Sequence, residues 1–157
     1  MTVSKIETNP DFADWAALEA LLRAAYAPME GRIDPPSFLT TMTLADIAAK
    51  ARDEDLFLAR DQGQPVACGF GTARGRLYEV GKVAVAASHR KQGLARMLME
   101  AAATRARDRG LEALQLYARV QLVENHATYL ALGFKQTGTF THPGFTQPTA
   151  LVFQRPL

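Results

Sequence analysis

Apolar and polar positions change period several times along the chain. Residues 2–8 alternate weakly and predict an edge strand. Trp15, Leu18, Leu22 and Ala25 then recur at helical spacing, which predicts a helix within residues 9–27, with Asp11 as its cap. Pro28, Gly31, Pro35 and Pro36 interrupt the pattern, and a second helix is expected in residues 43–52, capped by Thr43. Leu56–Arg60 and Pro65–Thr72 flank the turn "DQGQ" and read as a β-hairpin. The most strand-like segment follows, "RLYEVGKVAVAA". The strongest helix is "GLARMLMEAAATRARDRG": Leu94, Met97, Leu98, Ala101 and Ala102 make an apolar stripe, and Gly110 is a stop. A strand over Leu114–Ala118, a short helix over Val123–Leu132 ended by Gly133, and strands in "KQTGTF" and "ALVFQRP" complete the pattern. "THPGFTQP" between the last two strands reads as an exposed loop.

The order is strand, two helices, three strands, helix, strand, helix, two strands. The hairpin makes the early strands antiparallel. The unit around residues 77–118 needs a crossover helix, so its two strands are expected to be parallel. The expected class is α/β (α+β): a mixed, mostly antiparallel sheet of about seven strands with helices on both faces. No repeat or composition shift marks a second domain, so residues 1–157 are expected to form one.

Composition narrows the function classes. Hydrophobic residues are 48% and charged residues 22%, a globular balance. Eighteen basic against 16 acidic residues give a net charge of +2, which provides no basis for nucleic acid as a partner. The single cysteine, Cys68 in "PVACGF", excludes an internal disulfide and reads as a small core residue. The first ten residues lack the apolar segment of a signal peptide, and no apolar run approaches the roughly 18 residues of a membrane span. The expectation is a soluble, cytoplasmic protein without membrane partners.

Candidate chemistry is concentrated in "SHRKQGLARMLMEAA". A helix N-terminus presents free backbone N–H groups and about half a positive charge, so cations there are unfavourable unless an anion arrives. Gly93 leaves room for a ligand to approach the backbone, and Arg90 and Lys91 add charge suited to phosphate. Ala95 keeps the first turn slim. The stretch lacks the P-loop pattern and the three glycines of a dinucleotide loop.

The stretch "KVAVAASHRKQGLARMLMEAA" resembles the signature of the GNAT superfamily, the acyl-CoA-dependent N-acetyltransferases. Their hallmark is Arg or Gln, two residues, Gly, one residue, then Gly or Ala. Arg90, Gly93 and Ala95 meet it here, after a strand end containing Val83 and Val85. "NHATYLALGFKQTGTF" is similar to the family's second block, a tyrosine on a short helix before "GF". The resemblance is closest over residues 56–140.

The resemblance implies an acetyl-CoA cosubstrate and no metal. Its diphosphate would bind the backbone of Arg90, Lys91, Gln92, Gly93, Leu94 and Ala95. The pantetheine arm would pair with Val83, Ala84 and Val85, and strand Leu114–Ala118 would splay away to make a slot. Tyr129 matches the tyrosine that protonates the leaving thiolate, a role for a neutral donor of pKa about 10. The family's CoA-contacting asparagine stands seven residues before this tyrosine. Leu122 occupies that place, and Asn125, four before, is left to contact CoA or to cap the helix.

Glu79 is the candidate base, or alternatively a binding site for a cationic acceptor. Alternation places it on one face with Val83 and Val85. Of the histidines, His89 is expected to pack, His126 to be exposed and His142 to line the substrate mouth. Tyr26, Met29, Glu30, Phe38 and Phe145 are candidates for the acceptor site. The implied activity is transfer of acetyl to a primary amine, on a small molecule or a protein, by direct attack in a ternary complex. The rival expectations are a transferase for another acyl-CoA, a non-catalytic CoA-binding or regulatory module, and a phosphate-binding protein unrelated to CoA. A homodimer is compatible with the fold.

Overall fold

The structure, a computed structural model, describes residues 5–157. Seven strands form one sheet in the order β1-β2-β3-β4-β5-β7-β6. They are β1 (Glu7–Thr8), β2 (Asp55–Asp61), β3 (Gln64–Arg74), β4 (Leu77–Val85), β5 (Ala113–Arg119), β6 (Lys135–Phe140) and β7 (Ala150–Pro156). The helices are α1 (Trp15–Tyr26), α2 (Leu44–Asp53), α3 (Leu94–Asp108) and α4 (Val123–Ala131). Of the strand expected over residues 2–8, Glu7 and Thr8 pair with β2, and residues 2–4 lie outside the described residues. All pairings are antiparallel except β4 with β5, the two strands joined by the α3 crossover. Among the described residues no helix is long and apolar enough to cross a membrane.

Two clusters of buried side chains cover the two sides of the sheet. α3 contributes Leu94, Leu98, Met99, Ala102, Ala103 and Ala106 to one, against Phe57, Tyr78, Val80, Leu114 and Phe153. Its buried face is turned from the predicted stripe: Met97 and Ala101 sit at the margin, and Met99, Ala103 and Ala106 are inside. The other cluster joins Leu18, Leu21 and Leu22 of α1 and Ile47 of α2 to Leu58, Cys68, Phe70 and Ala84. Cys68 is fully buried there, as its apolar setting implies.

Local capping follows side-chain chemistry. Thr43 and Asp46 form a reciprocal capping box at the start of α2. α1 begins later than expected: Asp14, not Asp11, accepts from the Ala17 amide at 3.1 Å. Away from the candidate site, the buried carboxylate of Asp55 gathers Asn9 (2.8 Å), Tyr78 (2.5 Å), Arg105 (3.1 Å) and Arg109 (3.2 Å). The Tyr78 ring passes over Gly71, where a Cβ would clash with the phenol oxygen.

Candidate functional site

The site begins where two neighbouring strands part. β4 and β5 pair only over Leu77↔Ala113, Tyr78↔Leu114 and Glu79↔Gln115. Beyond Glu79, β4 pairs only with β3, and beyond Gln115, β5 pairs only with β7. This opens a seam through the sheet, with the β5-facing edge of Val83–Val85 free of strand pairing on that side. Unpaired backbone groups of this kind are a template for an extended amide-bearing ligand.

α3 starts at the end of the seam. Its N-cap is Gly93, in the left-handed region at φ 79°, and no side chain caps the helix. Lys91 is also left-handed, at φ 63°. Arg90, Lys91, Gln92 and Gly93 are all exposed. A cavity of about 760 Å³ opens here. Val83, Ala84, Val85, Arg90, Lys91, Gly93, Leu94, Ala95 and Asn125 line it; Gln92, though in the same loop, does not. Arg32 and Arg96 add cationic side chains that sequence reasoning missed, since neither stands in a motif; Arg32 is tied to Glu124 at 2.9 Å. His89 also lines it, with Nε2 at 2.7 Å from Asp61 and Nδ1 at 2.7 Å from Ser88 Oγ, so it braces the loop as well as packing.

A second cavity of about 550 Å³ shares Val83, Val85, Ala95, Leu122 and Asn125 with the first, so the two adjoin at the seam. Glu79, Tyr129 and His142 all line it. Tyr129 rests on Phe134 and Phe153, at 6.1 and 6.0 Å between ring centroids, and burial raises its phenol above the ordinary range. Burial, followed by the charge of Arg119, lowers the His142 imidazole. Asn125 borders both cavities, and its backbone N–H donates to Leu122 O at 2.9 Å at the start of α4.

Of the expected acceptor residues, Tyr26, Met29 and Phe38 line this cavity. Glu30 instead lines an adjoining one, and Phe145 lines neither; Tyr117 and Phe140 take its side of the wall. Phe38, Tyr117 and Phe140 are exposed at the cavity although apolar, as ligand-facing side chains commonly are. His126 is half-buried rather than exposed, with Nε2 at 2.9 Å from Arg119 O and its ring beside Phe153.

The expected alternation along β4 fails at one point. Cys68 and Phe70 of β3 pair with Ala84 and Gly81, so β4 holds one extra residue between them. Lys82 takes up the irregularity, with φ at 49°. Val83 and Val85 therefore pack with Tyr78 and Val80 on the α3 side, and Ala84 packs on the α1–α2 side. Glu79, alternating with Tyr78 and Val80, is on the opposite face from Val83 and Val85, which corrects the sequence expectation. Lys82, which the sequence reading passed over, projects into the second cavity with its ammonium 5.8 Å from the Tyr26 ring centroid. A lysine carries no turn signature, so no pattern announced the bulge.

Comparison with known proteins agrees with this geometry. The family model for the acetyltransferase (GNAT) family matches residues 15–134. A search of curated proteins found no match. Among solved structures, the PaiA N-acetyltransferase of Thermoplasma acidophilum, in complex with coenzyme A, superposes with TM-score 0.77 at 12% identity, covering 98% of this chain and 100% of that one. A Bacillus subtilis acetyltransferase, also in complex with CoA, gives TM-score 0.66 at 14% identity over 98% of both chains. The ribosomal-protein-S18-alanine N-acetyltransferase of Escherichia coli gives 0.64 at 17%, over 96% of this chain and 93% of that one. With the family model spanning most of the chain and the parted strands meeting an uncapped glycine-led helix, the chain belongs to the GNAT acetyltransferase family.

Proposed function

We propose that the protein transfers an acetyl group from acetyl-CoA to a primary amine by direct attack in a ternary complex. The observation that carries this reading is the seam between β4 and β5 running into the uncapped N-terminus of α3. The diphosphate of CoA lies against the amides of Arg90–Ala95, where the helix dipole and the cations of Arg90 and Lys91 favour it. The pantetheine arm runs up the seam along Val83, Ala84 and Val85, and the thioester reaches the second cavity.

The amine nitrogen attacks the thioester carbonyl carbon, and the carbon–sulfur bond breaks. Glu79 takes the proton shed by the amine, directly or through water, and Tyr129 gives its phenol proton to the departing thiolate. Holding both reactants in one slot supplies much of the rate, because a thioester is already activated. Asn125, at the junction of the two cavities, contacts the arm of CoA.

The test is thiol release from acetyl-CoA across a broad amine panel, beside calorimetry with CoA. Turnover with at least one amine, lost on substitution of Glu79 or Tyr129, supports the assignment. Full activity in both variants removes the catalytic roles, and absence of CoA binding removes the reading.

A further inference from the structure

Glu79 and Lys82 stand three residues apart on β4, a spacing that puts side chains on opposite faces of a regular strand. The extra residue in β4 brings both to the second cavity. They carry opposite charges yet do not pair with each other. The ion-pair partner of Glu79 is Arg74, at 3.8 Å, and among the described residues no ion pair includes Lys82.

The other charges facing the cavity leave the Lys82 region cationic. Lys50 of α2 is already bound to Glu54 at 2.7 Å. Arg119, at the end of β5, donates to the carbonyls of Pro35 and Pro36 and, among the described residues, is in no ion pair, although the charge of Asp34 acts on it. His142 adds a neutral ring there. Burial, then the charges of Lys50 and Arg119, pull Lys82 down to about 8, against the opposing pull of Glu54. A half-buried ammonium in such a setting is stabilised by an incoming anion.

We propose that the acceptor is an amine that also bears a carboxylate, an amino acid docked with its carboxylate on Lys82 and its amino group toward Glu79. The reversed orientation sets like charges together. Tyr26, Met29, Phe38, Tyr117 and Phe140 give the same cavity an apolar wall, which suits an apolar side chain on the acceptor. The proposal rests on the acetyl-transfer reading and specifies its substrate class.

The experiment presents acetyl-CoA with the common amino acids, each beside its primary amide and its decarboxylated amine. The expected result is a kcat/KM for the best amino acid about 10-fold or more above both carboxylate-free counterparts, the scale of one charge-assisted hydrogen bond. In Lys82→Met that preference collapses toward unity, chiefly through KM, and in Lys82→Arg part of it survives. CoA affinity by calorimetry verifies that the variants are folded. A wild-type preference for the carboxylate-free amines, or a preference unchanged in Lys82→Met, overturns the proposal. A second readout needs no turnover: the rate at which trinitrobenzenesulfonate modifies Lys82 in the CoA-bound protein, followed by peptide mapping. N-acetylphenylalanine or N-acetylmethionine is expected to slow it, and N-acetylphenethylamine is not. Equal effects of the acidic and neutral compounds, or no effect of either, overturn the proposal. If CoA binds but no amine is acetylated, the transfer reading falls, and this protection result alone decides the role of Lys82.

Discussion

Tyr129 and Asp55 are both shifted by their surroundings, with different consequences. Burial raises the Tyr129 phenol, so it remains protonated through neutral and mildly alkaline pH and able to donate. Tyr129→Phe is expected to lower kcat about 10²-fold with little change in KM for acetyl-CoA, read from steady-state kinetics. At Asp55, burial alone acts to raise the carboxyl, but hydrogen bonds from Arg105, Tyr78 and Asn9 outweigh it and hold it at about 2, below the ordinary 3.8. A carboxyl lowered by folding stabilises the fold above its unfolded value, and the benefit is lost as pH falls through the folded value. Stability is therefore expected to drop by about 2 kcal/mol between pH 5 and pH 1 on account of Asp55. Urea midpoints across that range, for wild type and Asp55→Asn, measure it; the variant is expected to be weaker at pH 6 and to lose much of this slope.

At the scale of elements, the capping box of α2 and the crowded crossing of Tyr78 over β3 bear on stability. Thr43→Ala is expected to cost about 1 kcal/mol, seen as a lowered urea midpoint with unchanged slope. Gly71→Ala is expected to cost more, because its Cβ would meet the Tyr78 phenol and displace it from Asp55. Most helices and strands were legible from the sequence, since their apolar runs are bounded by turn and breaker residues, and Thr43 and Gly93 mark helix starts by their own chemistry. The glycine loop was legible because uncapped cations at a helix start require an anion. Asp14 was missed because Asp11 offers the same side chain three residues earlier. The bulge was missed because alternation looks identical with or without one added residue, and its occupant, Lys82, is not a turn former. The buried face of α3 was misjudged because its many alanines blur the stripe that packing selects.

On the scale of the whole molecule, the sheet is two blocks, β1-β2-β3-β4 and β5-β7-β6, joined by three register pairs at one end. A ligand in the seam would span both blocks, so its binding couples to global stability. CoA at about 100 times its Kd is expected to stabilise the protein by about 2.7 kcal/mol, measured as a raised Tm. Amide hydrogen exchange at Val83–Val85 is expected to slow more than at β6, because the new pairing forms along β4. Cys68 provides a clock for the same coupling. It is the sole cysteine, fully enclosed, and burial pushes its thiol up to about 12, with an opposing hydrogen bond from Ala84. A thiol reagent can reach it only when the first block breathes open, so in native buffer the rate of a chromogenic disulfide exchange counts those openings. The protein thus contains, without engineering, a single-site stopwatch for the motion of its own ligand-binding half.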